Sequence, residues 1–189
     1  MTNLYLIRHT TPAIAKGICY GSSDLPLADS FDAEVEVLLP KIPQALDCVY
    51  SSPAQRCLQL AERLTSEPLK TDARLWEMDF GDWELKAWQQ LPPEALQRWM
   101  DDFVHVPAPQ GESFEMLYTR VRDFWQVSLA EIRQCKSVAL VAHAGSLRSL
   151  LAYILQIPLQ KAFIPQIDYG GVSLLKIYED SYRLAFLNH

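Results

Sequence analysis

Ser137-Val138-Ala139-Leu140-Val141-Ala142-His143-Ala144-Gly145-Ser146 is the stretch on which the fold turns. Its near-continuous apolar run is short and ends at small residues, which suits a strand covered on both faces. Such strands belong to parallel sheets, whose crossover connections lay helices on each side. Ala144-Gly145-Ser146 then leads into an apolar helix over residues 147–156, so His143 falls at a strand-to-helix turn.

Working outward, residues 113–134 place Phe114, Leu117, Val121, Phe124, Trp125 and Ile132 at helical spacing, with Ser113 as the cap of a long amphipathic helix. Residues 93–104 also read as helical. Leu4-Tyr5-Leu6-Ile7 is a second buried strand, which puts His9 at its tip, and Thr10 to Leu27 is a long aperiodic loop carrying Pro12, Gly17, Gly21 and Pro26. Residues 46–50 form a further strand. Ser51-Ser52-Pro53 follows as an N-cap pair with Pro at the first helical position, and predicts a helix from about Pro53 to Leu64. Residues 172–178 and 182–187 are two closing strands joined at Glu179-Asp180. The alternation predicts an α/β three-layer sandwich, a mostly parallel central sheet with helices on both faces, as one domain over residues 1–189. Ligands in such sheets bind beyond the carboxyl ends of the strands, where His9, the 51–56 turn and His143 fall.

Composition narrows the function. At 189 residues, 49% hydrophobic and 21% charged, the chain fills one core, and a net charge of −6 argues against a nucleic-acid partner. Cys19, Cys48, Cys57 and Cys135 have neither C-x-x-C pairing nor the spacing of a metal or disulfide scaffold, and read as free thiols. The first apolar run is too short for a signal peptide and none approaches ~18 residues, so the expectation is a soluble cytoplasmic protein with no membrane segment.

Several polar groups sit where they are costly without a ligand. With ten arginines and four histidines in 189 residues, an Arg-His pair is expected by chance about 0.2 times. Arg8-His9 at the end of a buried strand needs a partner, and a phosphate dianion serves as well as a nearby carboxylate. Arg56 falls in the first turn of its helix, where the dipole favours an anion, so a bound phosphate explains a cation there better than solvation does. His143 precedes two small residues that allow a tight turn and bring backbone N–H groups near a ligand; alone, it reads more readily as a core histidine bonded to main chain. In Leu75-Trp76-Glu77-Met78-Asp79-Phe80-Gly81-Asp82-Trp83-Glu84, carboxylates alternate with aromatic and apolar residues, a setting that can raise a carboxyl pKa enough for a general acid. Spacing does not choose between Glu77, Asp79 and Glu84. Trp76, Trp83, Trp88 and Tyr20 are candidates to stack on an aromatic base, although tryptophans at such spacing are more often core.

Together, Leu6-Ile7-Arg8-His9, Ser51-Ser52-Pro53 with Arg56, Leu75-x-Glu77-x-x-x-Gly81-x-x-Glu84, Gly111-Glu112-Ser113 and Ala142-His143-Ala144-Gly145 resemble the histidine phosphatase (phosphoglycerate mutase-like) superfamily in order and approximate spacing. The resemblance implies a phosphomonoesterase in which His9 is the nucleophile and a phosphohistidine forms and is hydrolysed. Arg8, Arg56 and His143 would hold the phosphoryl oxygens with the Ala144 turn, Glu77 would be the proton donor, and no metal or cofactor would be needed. His9 must be neutral to attack, and two nearby guanidinium groups favour that state. Thr10 stands where the family commonly has Gly, and Ala15 where an Asn phosphate ligand is frequent, so the Thr11 hydroxyl is a candidate replacement. The loop Gly17 to Leu27, including Tyr20 and Gly21, looks like that of bacterial alpha-ribazole phosphatases of cobalamin nucleotide-loop synthesis. The short interval between Glu77 and His143 favours a hydrolase over a mutase. A broad phosphomonoesterase or a protein phosphohistidine phosphatase would share these residues, whereas an inactive phosphate-binding domain would have lost one of them. Residues 78–112 are expected to cap the site.

Overall fold

Six strands, β1 (Thr2–Arg8), β2 (Cys48–Ser51), β3 (Lys70–Thr71), β4 (Ser137–Ala142), β5 (Val172–Ile177) and β6 (Tyr182–Phe186), form one sheet in the computed structural model, which describes residues 1–189. Their order is β3-β2-β4-β1-β5-β6. The first four run parallel, while β5 lies antiparallel to β1 and β6 antiparallel to β5. The helices are α1 (Phe31–Leu38), α2 (Gln55–Glu62), α3 (Pro93–Asp101), α4 (Phe114–Ile132) and α5 (Ala144–Leu155).

The apolar run of β4 lies between β2 and β1, and its side chains alternate between faces as strand geometry requires. Val138, Leu140 and Ala142 join Leu4 and Leu6 of β1 against α4 and α5, through Phe124, Trp125, Leu147 and Leu151. Ala139 and Val141 join Ile7 on the opposite face, against Val35 and Leu38 of α1 and Cys57 and Leu60 of α2. This is the expected three-layer arrangement, and each fully buried Leu in it contributes about 1.5–3 kcal/mol. No helix is long and apolar enough to cross a membrane.

Register carries the sheet into the site. Arg8 pairs with Ala142, and Ser51 with Val141, so the chain leaves the sheet at neighbouring points just before His9, His143 and Ser52. The His9 N–H donates to the Ala142 carbonyl at 3.0 Å and the Ser52 N–H to that of Val141 at 2.9 Å, continuing both ladders.

Three local expectations are corrected. The helix after β2 begins at Gln55, with Ala54 as its N-cap and no side-chain cap; the Ser52 hydroxyl, two residues earlier, meets His143 and accepts the Ala54 N–H at 3.4 Å. Helix α5 starts at Ala144, three residues before the expected position, with His143 itself as N-cap. Helix α1 and the two-residue β3 were not foreseen; α1 carries only two fully buried side chains, Val35 and Leu38, too few to mark a stripe. Ser113 caps α4 as expected, accepting from the Met116 N–H at 3.3 Å.

Residues 78–112 contribute nothing to the sheet. Trp83, Leu91 and Ala108 gather with Cys19 of the long loop into a small separate core, with Phe80, Trp88 and Trp99 packed on it. Gly81 lies at φ +50°, and a Cβ there would meet the Pro109 carbonyl oxygen at 2.2 Å, so both ends of the segment close on a position only glycine fits.

Candidate active site

His9 and His143 meet edge to face, ring centroids 5.1 Å apart, both buried. His9 Nδ1 lies 2.7 Å from the Thr10 carbonyl oxygen. A carbonyl only accepts, so Nδ1 carries the proton, and the neutral ring presents its lone pair at Nε2. Burial, then the charges of Arg56 and Arg8, hold the His9 pKa well below its usual value, against a smaller upward pull from the Thr10 bond. His143 Nε2 lies 2.8 Å from Ser52 Oγ, and Trp76 stacks on the ring at 6.3 Å and 7°. Its pKa is also held well down, by burial first, then His9, Arg56, Arg8 and Arg120.

These shifts predict an acid weakness. A depressed histidine pKa means that the unfolded chain takes up protons, as pH falls below about 6.5, before the folded chain does. Stability attached to both rings is therefore complete above that pH and is lost as pH falls toward their folded values. The urea midpoint is expected to drop between pH 7.5 and pH 5.5, and His143→Gln should flatten that slope; an unchanged slope would show that the rings do not control it.

Arg56 is buried in the first turn of α2. Nη1 donates to the Ser23 carbonyl and Nη2 to that of Gly21, each at 2.7 Å, with the half-exposed Asp24 carboxylate 3.9 Å away. Arg8 donates from Nη1 to the Ile167 carbonyl at 2.7 Å, and its guanidinium lies 3.6 Å from the centroid of the Tyr169 ring. In both arginines Nε is buried without an acceptor. A desolvated charged donor left unbonded is costly, so two of them beside one histidine mark an anion site. Ala144 adds an amide at the first helical position, which has no acceptor within its own helix.

The three carboxylates that spacing left open have separate jobs. Glu84 is a fastener, taking the amides of Gly21, Ser22 and Phe80 at 3.0 Å and the Ser23 hydroxyl at 2.6 Å. Asp79 accepts from the Ser22 hydroxyl at 3.0 Å and the Gly81 amide at 2.8 Å. Glu77 accepts from the Met78 and Gly145 amides, both at 2.9 Å, which ties it to the first turn of α5 beside His143. Arg120 of α4 fixes that placement. It grips Glu112 through Nε and Nη2 at 2.8 Å each and donates to the carbonyls of Trp76 and Glu77. A Cβ on Gly145 would meet Glu77 Oε1 at 2.2 Å. Gly145→Ala is expected to keep the fold but displace this carboxylate, lowering kcat about 100-fold, the usual consequence of ångström-scale misplacement; a steady-state assay beside a thermal melt checks both halves.

Glu77 also lines a cavity of about 210 Å³, walled by Phe80, Trp88, Trp99, Phe114 and Phe163, with Arg148 at its side. Arg148 follows Gly145 by one turn of α5, donates from Nε to the Pro165 carbonyl at 3.2 Å, and pairs with no carboxylate. Burial, with a lesser contribution from Arg8, lowers its pKa. A second cavity, about 450 Å³, is lined by Thr11, Ala15, Tyr20 and Tyr169.

His9, Arg8, Arg56, His143, Ala144 and Glu77 are thus brought together. Thr11 has its amide tied to Glu34 at 2.9 Å and faces the second cavity with Tyr20. Gly21 is a correction: its N–H is taken by Glu84 and its carbonyl by Arg56, which leaves no donor for an anion. Of the aromatic residues proposed to stack on a base, only Trp88 lines the first cavity; Trp83 is core, Trp76 covers His143, and Tyr20 lies at the second cavity. Ser52, Arg120, Arg148, Trp99 and Tyr169 were missed. Arg120 falls three residues after Leu117 and four before Phe124, and Arg148 four after Ala144 and three before Leu151, on the buried faces of their helices where a solvated arginine is not expected, and that was the available signal. Tyr169 carried none.

The sequence matches the family model described as "Histidine phosphatase superfamily (branch 1)" over residues 4–189. The chain is 28% identical to the adenosylcobalamin/alpha-ribazole phosphatase of Escherichia coli strain K12, over 98% of this chain and 95% of that protein. It is also 28% identical to phosphoserine phosphatase 1 of Hydrogenobacter thermophilus, over 100% and 92%. The crystal structure of the alpha-ribazole phosphatase from Shigella flexneri superposes with a TM-score of 0.91 at 26% identity, covering 100% of this chain and 96% of that one. With a matching family model along nearly its whole length, and paired histidines and arginines at the strand tips, the chain belongs to branch 1 of the histidine phosphatase superfamily.

Proposed function

We propose that this protein hydrolyses a phosphomonoester through a phosphohistidine at His9, and that the ester is alpha-ribazole 5′-phosphate. The observation that carries the mechanism is the pair of buried, acceptor-free Nε donors of Arg8 and Arg56 beside the His9 lone pair. In the first step Nε2 of His9 attacks phosphorus in line, the bond to the leaving oxygen breaks, and Glu77 gives that oxygen its proton. In the second, Glu77 takes a proton from water as the water oxygen bonds to phosphorus and the P–N bond breaks. Each Glu77 oxygen accepts one amide and keeps a second lone pair for the proton. Arg8, Arg56, His143 and the Ala144 amide stabilise charge on the equatorial oxygens, a purely electrostatic contribution for which the reading requires no metal or cofactor.

The aromatic walls beside Glu77 support a leaving group that carries a fused aromatic base, in line with the relatives named for alpha-ribazole. Residues 78–112, which supply Phe80, Trp88 and Trp99, act in this reading as the cap. One observation favours a second substrate: Arg148, free of any carboxylate, suits the carboxyl group of phosphoserine. Initial rates with EDTA for alpha-ribazole 5′-phosphate, phosphoserine, 3-phosphoglycerate and p-nitrophenyl phosphate decide between them. A kcat/KM highest for the first supports the proposal, preference for phosphoserine transfers it to the second reading, and similar low values on all four leave a broad phosphomonoesterase.

A further inference from the structure

We propose that Tyr169 and Tyr20 form a phenol clasp that holds Arg8 and Arg56 in their anion-binding pose, with Tyr169 the positioning residue for Arg8. Tyr20 lies in the long loop after β1 and Tyr169 in the loop before β5, and their hydroxyls hydrogen-bond to each other. Each ring faces one guanidinium: Tyr169 lies 3.6 Å from Arg8, and Tyr20 5.8 Å from Arg56. Arg8 has no carboxylate partner, and among its five donors only Nη1 has a protein acceptor, the carbonyl of Ile167. One hydrogen bond leaves a planar group free to swing about it, and a ring face pressed on that plane removes the freedom.

The loop carrying Tyr169 is tied to the tip of β1 itself. Arg8 N–H donates to the Gly171 carbonyl and Gly170 N–H to the His9 carbonyl, each at 3.2 Å, and the Tyr169 ring lies 5.6 Å from that of His9. Burial and the bond to Tyr169 push the Tyr20 phenol up, so the pair keeps its bridging proton. The clasp thus joins two loops across the site.

The inference rests on the reading of the site as one that takes a phosphoryl group, and its test separates the two. Inorganic phosphate is titrated calorimetrically into the wild type, Tyr169→Leu and Tyr169→Phe. Tyr169→Leu should weaken phosphate about tenfold, between the cost of a cation–π contact at exposed and at desolvated sites because Tyr169 is 38% exposed, whereas Tyr169→Phe keeps the ring and should stay within about threefold. The acid limb of kcat/KM for p-nitrophenyl phosphate gives a second readout. The groups facing His9 are Arg8, Arg56, His143 and Tyr169, and the Arg8 charge is one cause of its low pKa. An Arg8 released from its ring should therefore move that limb to higher pH in Tyr169→Leu and not in Tyr169→Phe. In an Arg8→Met background the Tyr169→Leu effect on phosphate should vanish. Equal phosphate affinity and an unmoved limb in Tyr169→Leu overturn the clasp alone, as does an effect that persists without Arg8; a wild type that binds no phosphate overturns the underlying reading as well.

Discussion

His9→Ala is expected to lose at least about four orders of magnitude in kcat, the scale on which removal of a covalent nucleophile acts. No neighbouring group can substitute. His143 has its Nε2 engaged by Ser52 Oγ, and the Cys57 thiol, 3.6 Å from that nitrogen, is pushed up by burial, so its thiolate is scarce near neutral pH. Arg8 and Arg56 owe their positions to carbonyls and rings other than His9, so the variant should still bind inorganic phosphate. A quench in alkaline detergent with substrate labelled at phosphorus should yield a labelled wild-type protein that loses its label in acid, and an unlabelled variant. Retention of more than about 1% of the wild-type rate would move the nucleophile away from His9.

The features legible in the sequence share one property: chain geometry forces them. The short apolar run of β1 and the longer one of β4 could be read because a two-sided sheet admits few polar side chains, and His9 and His143 followed because each ends such a strand. Arg56 could be read because a cation in the first turn of a helix runs against the dipole. Where side chains compete for one partner, the reading went astray. Ser52 has the character of an N-cap, yet its hydroxyl bonds a histidine 91 residues away. Glu77, Asp79 and Glu84 were indistinguishable because what separates them is which amides each accepts, from the Gly21 loop or from the start of α5. Tyr169 gave no sign, since its role depends on a loop meeting the tip of a strand more than 150 residues earlier.

The identity of the acid is decided by how its removal depends on the leaving group. Glu77→Gln keeps an oxygen acceptor for either Gly145 or Met78 but turns an NH₂ toward the other amide, so one of two hydrogen bonds is lost while the side chain keeps its size. Loss of a positioned general acid costs about 10²–10⁴ in rate when the leaving oxygen needs its proton. An alkyl ester such as alpha-ribazole 5′-phosphate should show that loss in kcat/KM, and p-nitrophenyl phosphate, whose anion departs unaided, should show far less. Asp79→Asn and Glu84→Gln touch the loop at Gly21 to Ser23 rather than the leaving group, and should weaken both substrates by the same factor through Arg56, whose two terminal nitrogens bond carbonyls of that loop. An equal loss on both substrates in Glu77→Gln would mean that Glu77 only anchors the first turn of α5. The proton would then have to come from elsewhere, because their hydrogen bonds hold Asp79 and Glu84 against the loop at Gly21 to Ser23 rather than at the start of α5 beside His143.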